Sequence, residues 1–191
     1  MKNSKLLIFT FFFLFSCTGV LSVSDANSNT FMLDTRLEAG ETELELSKVT
    51  KELEALRYTL VRAKNKSMTT TLHSQILLTS RWDEYSPADK VRTLRHELVH
   101  AKQWRTFGIA GFPAKYAIET QRWVLEMHGY RQNIRDMCDM GKSREKVLER
   151  IGKVSGSFVE GYKMRSTDPE RVRVQTERVL MEELERWEGC K

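Results

Sequence analysis

From Ser86 to Gly108 the chain carries a helix start signal, a helix stop signal and two opposed faces, and this stretch limits what the rest can fold into. Ser86 can accept hydrogen bonds from first-turn amides, Pro87 lacks an N–H where none is needed, and Asp89 places an acid three residues after the cap. A helix is therefore predicted to begin within one residue of Pro87, to run to about Phe107 and to stop at Gly108. At about 100° per residue, Val91, Leu94 and Leu98 form one apolar stripe, while His96, His100 and Gln103 gather on roughly the opposite side. Histidines that merely filled a core would lie on the stripe, and neither does.

The same stretch reads His96-Glu97-Leu98-Val99-His100, the pattern H-E-x-x-H. On a helix, positions i and i+4 are just over one turn apart, so both imidazoles point the same way. Two convergent neutral nitrogens make half of the tetrahedral shell that Zn²⁺ accepts, and the glutamate after the first histidine lies close enough to hold a water at the metal. These residues point to Zn²⁺ on His96 and His100, with Glu97 as the general base of a small zinc hydrolase whose expected substrate is a protein or peptide.

The ends of the chain are expected to place it. Residues 1–17 read as an export signal: Lys2 and Lys5 precede an apolar run from Leu6 to Phe15, and Leu14-Phe15-Ser16-Cys17 resembles a bacterial lipobox with the lipid on Cys17. Cleavage after the small-x-small pattern Ser22-Val23-Ser24 is the rival, and both readings export the protein to the bacterial envelope. The apolar run is too short to span a bilayer comfortably. Residues 18–40 then form a polar tether, and 41–191 a single domain long enough for a real core. Export leaves Cys138 and Cys190 as an even pair in an oxidising compartment, where a disulfide between them is plausible. Removing Lys2 and Lys5 lowers the formal charge from +5 to +3. No basic run is interleaved with aromatics, which argues against a nucleic-acid partner.

Along the domain, Leu46, Val49, Leu53, Leu56 and Leu60 recur at helical steps and predict a helix from about Glu41 to Ala63. Thr69 to Thr79 is rich in Thr, Ile and Leu and predicts a strand, on which His73 is read as an ordinary residue rather than a ligand. After Gly108, Gly111 and Pro113 mark a loop, and a long helix is expected from about Ala114 to Met140, ended by Gly141. Ser143 caps a shorter helix to about Ile151, a Gly/Ser-rich link follows, and Asp168-Pro169-Glu170 opens the last helix. The fold class is α+β, mainly helical, with a small sheet packed on the helix of the two histidines.

The chain has four histidines, so the third zinc ligand is a short search. The extension H-E-x-x-H-x-x-G-x-x-H is absent, because Gln103 and Thr106 stand at its last two positions. Downstream, Glu119, Glu126 and His128 remain open; Glu119 and Glu126 share one helix face. The segments His96-Glu97-Leu98-Val99-His100-Ala101-Lys102-Gln103 and Glu126-Met127-His128-Gly129-Tyr130-Arg131 resemble those of the glutamate-zincins, in particular small bacterial domains with H-E-L-x-H-x-x-Q and a later E-x-E-A-Y-R. The resemblance covers about residues 70 to 135. It implies a zincin-like peptidase domain with His96, His100 and Glu126 as zinc ligands, Glu97 as general base, and the last strand before the zinc helix pairing with substrate backbone. His128 and Gly129 replace the Glu and Ala of that pattern. Tyr116, His128, Tyr130 and Arg131 are candidate donors to a developing oxyanion. The alternative is a degenerate zinc-binding envelope scaffold, or a lipoprotein interaction module, without activity.

Overall fold

The computed structural model describes residues 41–64, 66, 68–162, 164 and 168–187; the expected signal, Cys17, the tether and Cys190 lie outside the described residues. Helix α1, Glu41–Ala55, ends earlier than its leucine spacing suggests. Arg57 takes a left-handed φ of 64°, with Arg57 N–H bonded to the Glu54 oxygen and Tyr58 N–H to that of Leu53. This is a Schellman turn built without glycine, closed by buried Tyr58 near Leu53. The chain then enters strand β1, Thr59–Arg62, so Leu60 belongs to a strand and not to the helix.

The strand expected over 69–79 is a hairpin. Strand β2, Thr70–Leu72, turns through His73, φ 52°, and Ser74 into β3, Gln75–Leu78. Histidine tolerates the left-handed region better than most residues, and again no glycine announced the turn. The sheet order is β1-β3-β2, with β1 parallel and β2 antiparallel to β3. The last strand before the histidine helix is therefore central and paired on both edges. The free edges belong to β1 and β2.

A 3₁₀ turn at Trp82–Glu84 leads to Ser86, which caps helix α2 by accepting from the Asp89 amide. Helix α2, Pro87–Ala117, is broken at Gly108, where φ 72° and ψ 178° end its first segment at the expected place. Gly111 and Pro113 then lie in a short second segment rather than in a loop; Pro113 has only to clear the carbonyl of residue 109, at that segment's start. Ile118 is extended, so helix α3 runs Glu119–Asp139 and begins later than expected. Gly141, φ 68°, closes it. Helix α4, Arg144–Gly161, continues through Gly152 and Gly156 instead of stopping at Ile151. Val147, Ile151, Val154 and Phe158 keep one buried stripe, which outweighs roughly 1 kcal/mol of propensity lost per glycine. Helix α5 is Pro169–Arg186, capped by Asp168 as predicted.

Two apolar clusters result. One joins α1, β3 and the Leu94/Leu98 stripe of α2; the other joins α3, α4 and α5 around Ile134, Phe158 and Leu180. Between them α2 lies against α3, and Arg95 ties three helices by reaching Glu45 of α1 and Asp136 of α3, each at 2.5 Å. Cys138 is disulfide-bonded. Close by, the Trp187 indole donates to Asp139 at 2.7 Å, fastening the end of α5 to α3. Among the described residues no helix is long and apolar enough to cross a membrane.

Gly108 has nothing within 4 Å of a built Cβ, so an alanine there meets only the backbone penalty of its φ and ψ. That region is nearly glycine-only. Gly108→Ala is expected to lower unfolding free energy by about 1–3 kcal/mol, and chemical denaturation measures it. A neutral result would mean that the break relaxes into continuous helix.

Candidate metal centre

The face of α2 opposite its apolar stripe does not meet solvent, because it is buried against α3. His96 is 8 % exposed, His100 6 %, Glu97 5 % and, across from them on α3, Glu126 3 %. Nε2 of His96 lies 3.1 Å from Nε2 of His100, and both are 3.4 Å from Oε2 of Glu126. Ligand atoms held about 2.0–2.1 Å from a tetrahedral zinc are roughly 3.3–3.4 Å apart, so this triangle has the dimensions of one face of such a shell. Glu126 Oε2 is moreover a buried oxygen without a hydrogen-bond donor. A lone carboxylate oxygen facing two imidazole nitrogens has the chemistry of a cation site, and the residues fit Zn²⁺.

Each ligand is oriented from behind. Gln103 Nε2 donates to the Leu125 carbonyl at 3.1 Å, which turns Gln103 Oε1 towards His100 Nδ1 at 2.8 Å. His100 Nδ1 therefore carries its hydrogen, leaving Nε2 bare for a metal. Asn133 Nδ2 lies 3.3 Å from His96 Nδ1 while Asn133 Oδ1 is buried without a partner. A half-turn of that amide supplies an acceptor for Nδ1–H and gives His96 the same tautomer. Tyr116 donates to Glu126 Oε1 at 2.6 Å, so that Oε2 is the oxygen presented to the imidazoles. Thr71 of β2 donates to Glu97 Oε2 at 2.7 Å. Glu97 is thus held beside the triangle without belonging to it.

Gly129 makes the close approach possible. A Cβ there would fall 2.6–2.8 Å from three atoms of the His96 ring. Tyr130 packs edge-on against the same ring, centroids 4.9 Å apart, with its hydroxyl 2.9 Å from that of Tyr162.

Of the sequence-predicted residues, His96, His100 and Glu126 form the cluster that could hold a metal among the described residues; Glu119 and His128 stay outside it. His128 is exposed, its Nδ1 3.5 Å from Gln103 Nε2. Of the four candidate oxyanion donors, Tyr116 has its proton on Glu126, Tyr130 is paired with Tyr162, and Arg131 faces Glu183 at 3.7 Å. None is a free donor at the triangle. Thr71 and Asn133 were not singled out from sequence. Asn133 had a signal, standing seven residues after Glu126 on one helix face; Thr71 had none.

With no cation bound, charge is shared within the cluster. Burial opposes a charge on His100, but Glu126 beside it more than compensates and raises its pKa to about 9. Burial likewise opposes the Glu126 carboxylate, and His100 and His96 reverse this, holding it well below the usual carboxylate range. His100 lies above its unfolded value of 6.5, so its stabilisation of the metal-free fold is full below that pH and fades as pH rises through about 9. Zinc must displace the same proton. Affinity is therefore expected to rise up to about tenfold per pH unit as pH approaches 9, while metal-free stability falls. Zinc titration against a chelator, beside thermal melts of the stripped protein, measures both signs. Gln103→Leu is expected to weaken zinc by about 10–100-fold through loss of ring orientation, with little change in fold.

Comparison of the chain with protein-family models, with curated proteins and with solved structures yields no match.

Proposed function

We propose that the protein is a zinc-dependent hydrolase of peptide bonds, of the glutamate-zincin type, acting in the bacterial envelope. The observation that carries this reading is the triangle of His96, His100 and Glu126 donor atoms with the Glu97 carboxylate, held by Thr71, close enough to act on the His100 charge. Zn²⁺ held there supplies a Lewis acid for a carbonyl and brings the pKa of a water to roughly 7. Glu97, aligned by Thr71, takes the proton of the attacking water and delivers it to the departing amine. A structural zinc has no use for such a base. The unpaired edge of β2, which carries Thr71, offers backbone hydrogen bonds to an extended peptide next to Glu97, and this favours a peptide over other acyl substrates.

One observation favours a second reading, a zinc-bound scaffold without activity: the cluster is almost closed, its ligands and Glu97 all buried. The segment 109–117 roofs it, with Phe112 against the His100 ring and Tyr116 bonded to Glu126. Substrate entry requires that roof to move, and its two ends, Gly108 and Ile118, are the two non-helical residues that bound it.

The test is zinc per chain in the purified protein beside His100→Ala and Glu126→Ala, together with cleavage of a mixed peptide library. One equivalent in the parent, lost in both variants, with metal-dependent cleavage, supports the hydrolase. One equivalent with no cleavage moves the reading to the scaffold, and no zinc in a folded parent removes both.

A further inference from the structure

Helix α3 begins without a side-chain cap, because Ile118 in the capping position offers no hydrogen bond. In the first turn of α3, half-buried Arg122 instead turns its guanidinium back over the end of the roof. Its Nε donates to the Tyr116 carbonyl at 2.7 Å and its Nη2 to the Ala117 carbonyl at 3.3 Å, two of the last carbonyls of α2, which lack partners within that helix. Its Nη1 donates to the carbonyl of Tyr162, the residue that closes α4. The guanidinium also lies over the Tyr116 ring, 5.4 Å from its centroid.

Capping a helix end would need only the carbonyl contacts. Arg122 and Glu126, however, stand four residues apart on α3 and share one face, and Tyr116 spans the turn between them. Its carbonyl is held by Arg122, and its hydroxyl donates to Glu126 Oε1 at 2.6 Å. The last torsion of a glutamate is broad and two-fold, so packing alone does not select the oxygen that faces the imidazoles. With Oε1 on Tyr116, Oε2 lies 3.4 Å from Nε2 of both His96 and His100.

We propose that Arg122 is a positioning residue for the metal: it fixes Tyr116, Tyr116 fixes the Glu126 carboxylate, and the segment 109–117 therefore cannot leave the cluster without loosening its third ligand. The inference rests on the metal site proposed above and is independent of catalysis. Two consequences set it apart from a role in charge or in folding. Arg122 is a cation, so charge alone would make its loss strengthen Zn²⁺ binding, whereas positioning makes the same loss weaken it. Coupling is also reciprocal, so bound zinc must in turn hold the segment closed.

The test is zinc affinity of the full chain, by competition with a chelator, in Arg122→Met, Tyr116→Phe and the double variant. Tyr116→Phe removes one hydroxyl and keeps the ring; it is expected to weaken zinc by about 10–100-fold, and Arg122→Met by about tenfold. The double variant should match Tyr116→Phe within about twofold, because both changes release the same bond. Amides of 109–117 are expected to exchange more slowly with zinc in the parent but not in Tyr116→Phe, a readout that does not need an Arg122 variant to fold. Parental affinity in either single variant, tighter binding in Arg122→Met, losses that multiply in the double variant, or equal zinc protection in parent and Tyr116→Phe each overturn the proposal. These outcomes leave the metal site standing, whereas a folded parent that binds no zinc removes both.

Discussion

Under the proposed function, Glu97→Gln is expected to keep zinc at the parental level and to lower peptide hydrolysis by about 10²–10⁴-fold, the range that one positioned general base contributes. The two halves of this result have separate origins. Metal retention follows because Glu97 lies outside the ligand triangle, and because glutamine has the same shape and still accepts the Thr71 hydroxyl through its amide oxygen. Loss of hydrolysis follows because an amide does not take up a proton near neutral pH. Zinc analysis and initial rates on one preparation measure both. Retained zinc with unchanged rates would remove Glu97 from the chemistry. Loss of zinc together with activity would mean that the carboxylate is needed to hold α2 against β2, a structural role that Thr71→Val should then reproduce.

Gly129→Ala is expected to weaken zinc by about 100-fold, the upper range for changes behind a metal ligand, although it adds only one methyl group. The methyl would lie within 2.8 Å of the His96 ring, so either the ring leaves the triangle or α2 and α3 part. The substitution should otherwise help, because alanine exceeds glycine in helix propensity by about 1 kcal/mol. A variant that is equally or more helical, yet binds zinc poorly in competition with a chelator, has lost the approach and not the fold. Unchanged affinity would show that the two helices can separate without cost.

What the sequence disclosed and what it hid divide along a physical line. The cap at Ser86, the stop at Gly108, the cap at Asp168 and the shared face of His96 and His100 rest on local chemistry or on helical phase, which are written in residue types at fixed spacing, whereas Glu126 meets them across two helices and was picked from Glu119, Glu126 and His128 only through the resemblance. The end of α1 and the hairpin at His73 were missed because Arg57 and His73 adopt left-handed backbone without glycine, held by hydrogen bonds and packing that no local pattern records. Helix α4 outran its expected end because burial of Val154 and Phe158 outweighed the two glycines. The polar face of α2 could be drawn from a helical wheel, but not its burial, which depends on α3 arriving from a later part of the chain. Thr71 was invisible for the same reason: its partner is 26 residues away and is set by sheet order.

The position of the cluster between two apolar cores has a mechanical side. His96 and His100 ride on the helix that closes the first core, and Glu126 on the helix that opens the second, so a cation gripped by all three is a rivet through a seam. Pulling the rivet leaves no hole in either half. It leaves a polar joint tied by Arg95 and its two carboxylates, by Gln103 on the Leu125 carbonyl and by Tyr116 on Glu126. If the cluster holds a cation, its removal is expected to let the molecule open first along that joint, so that a protease cuts near the corner at Gly108 before reaching either core.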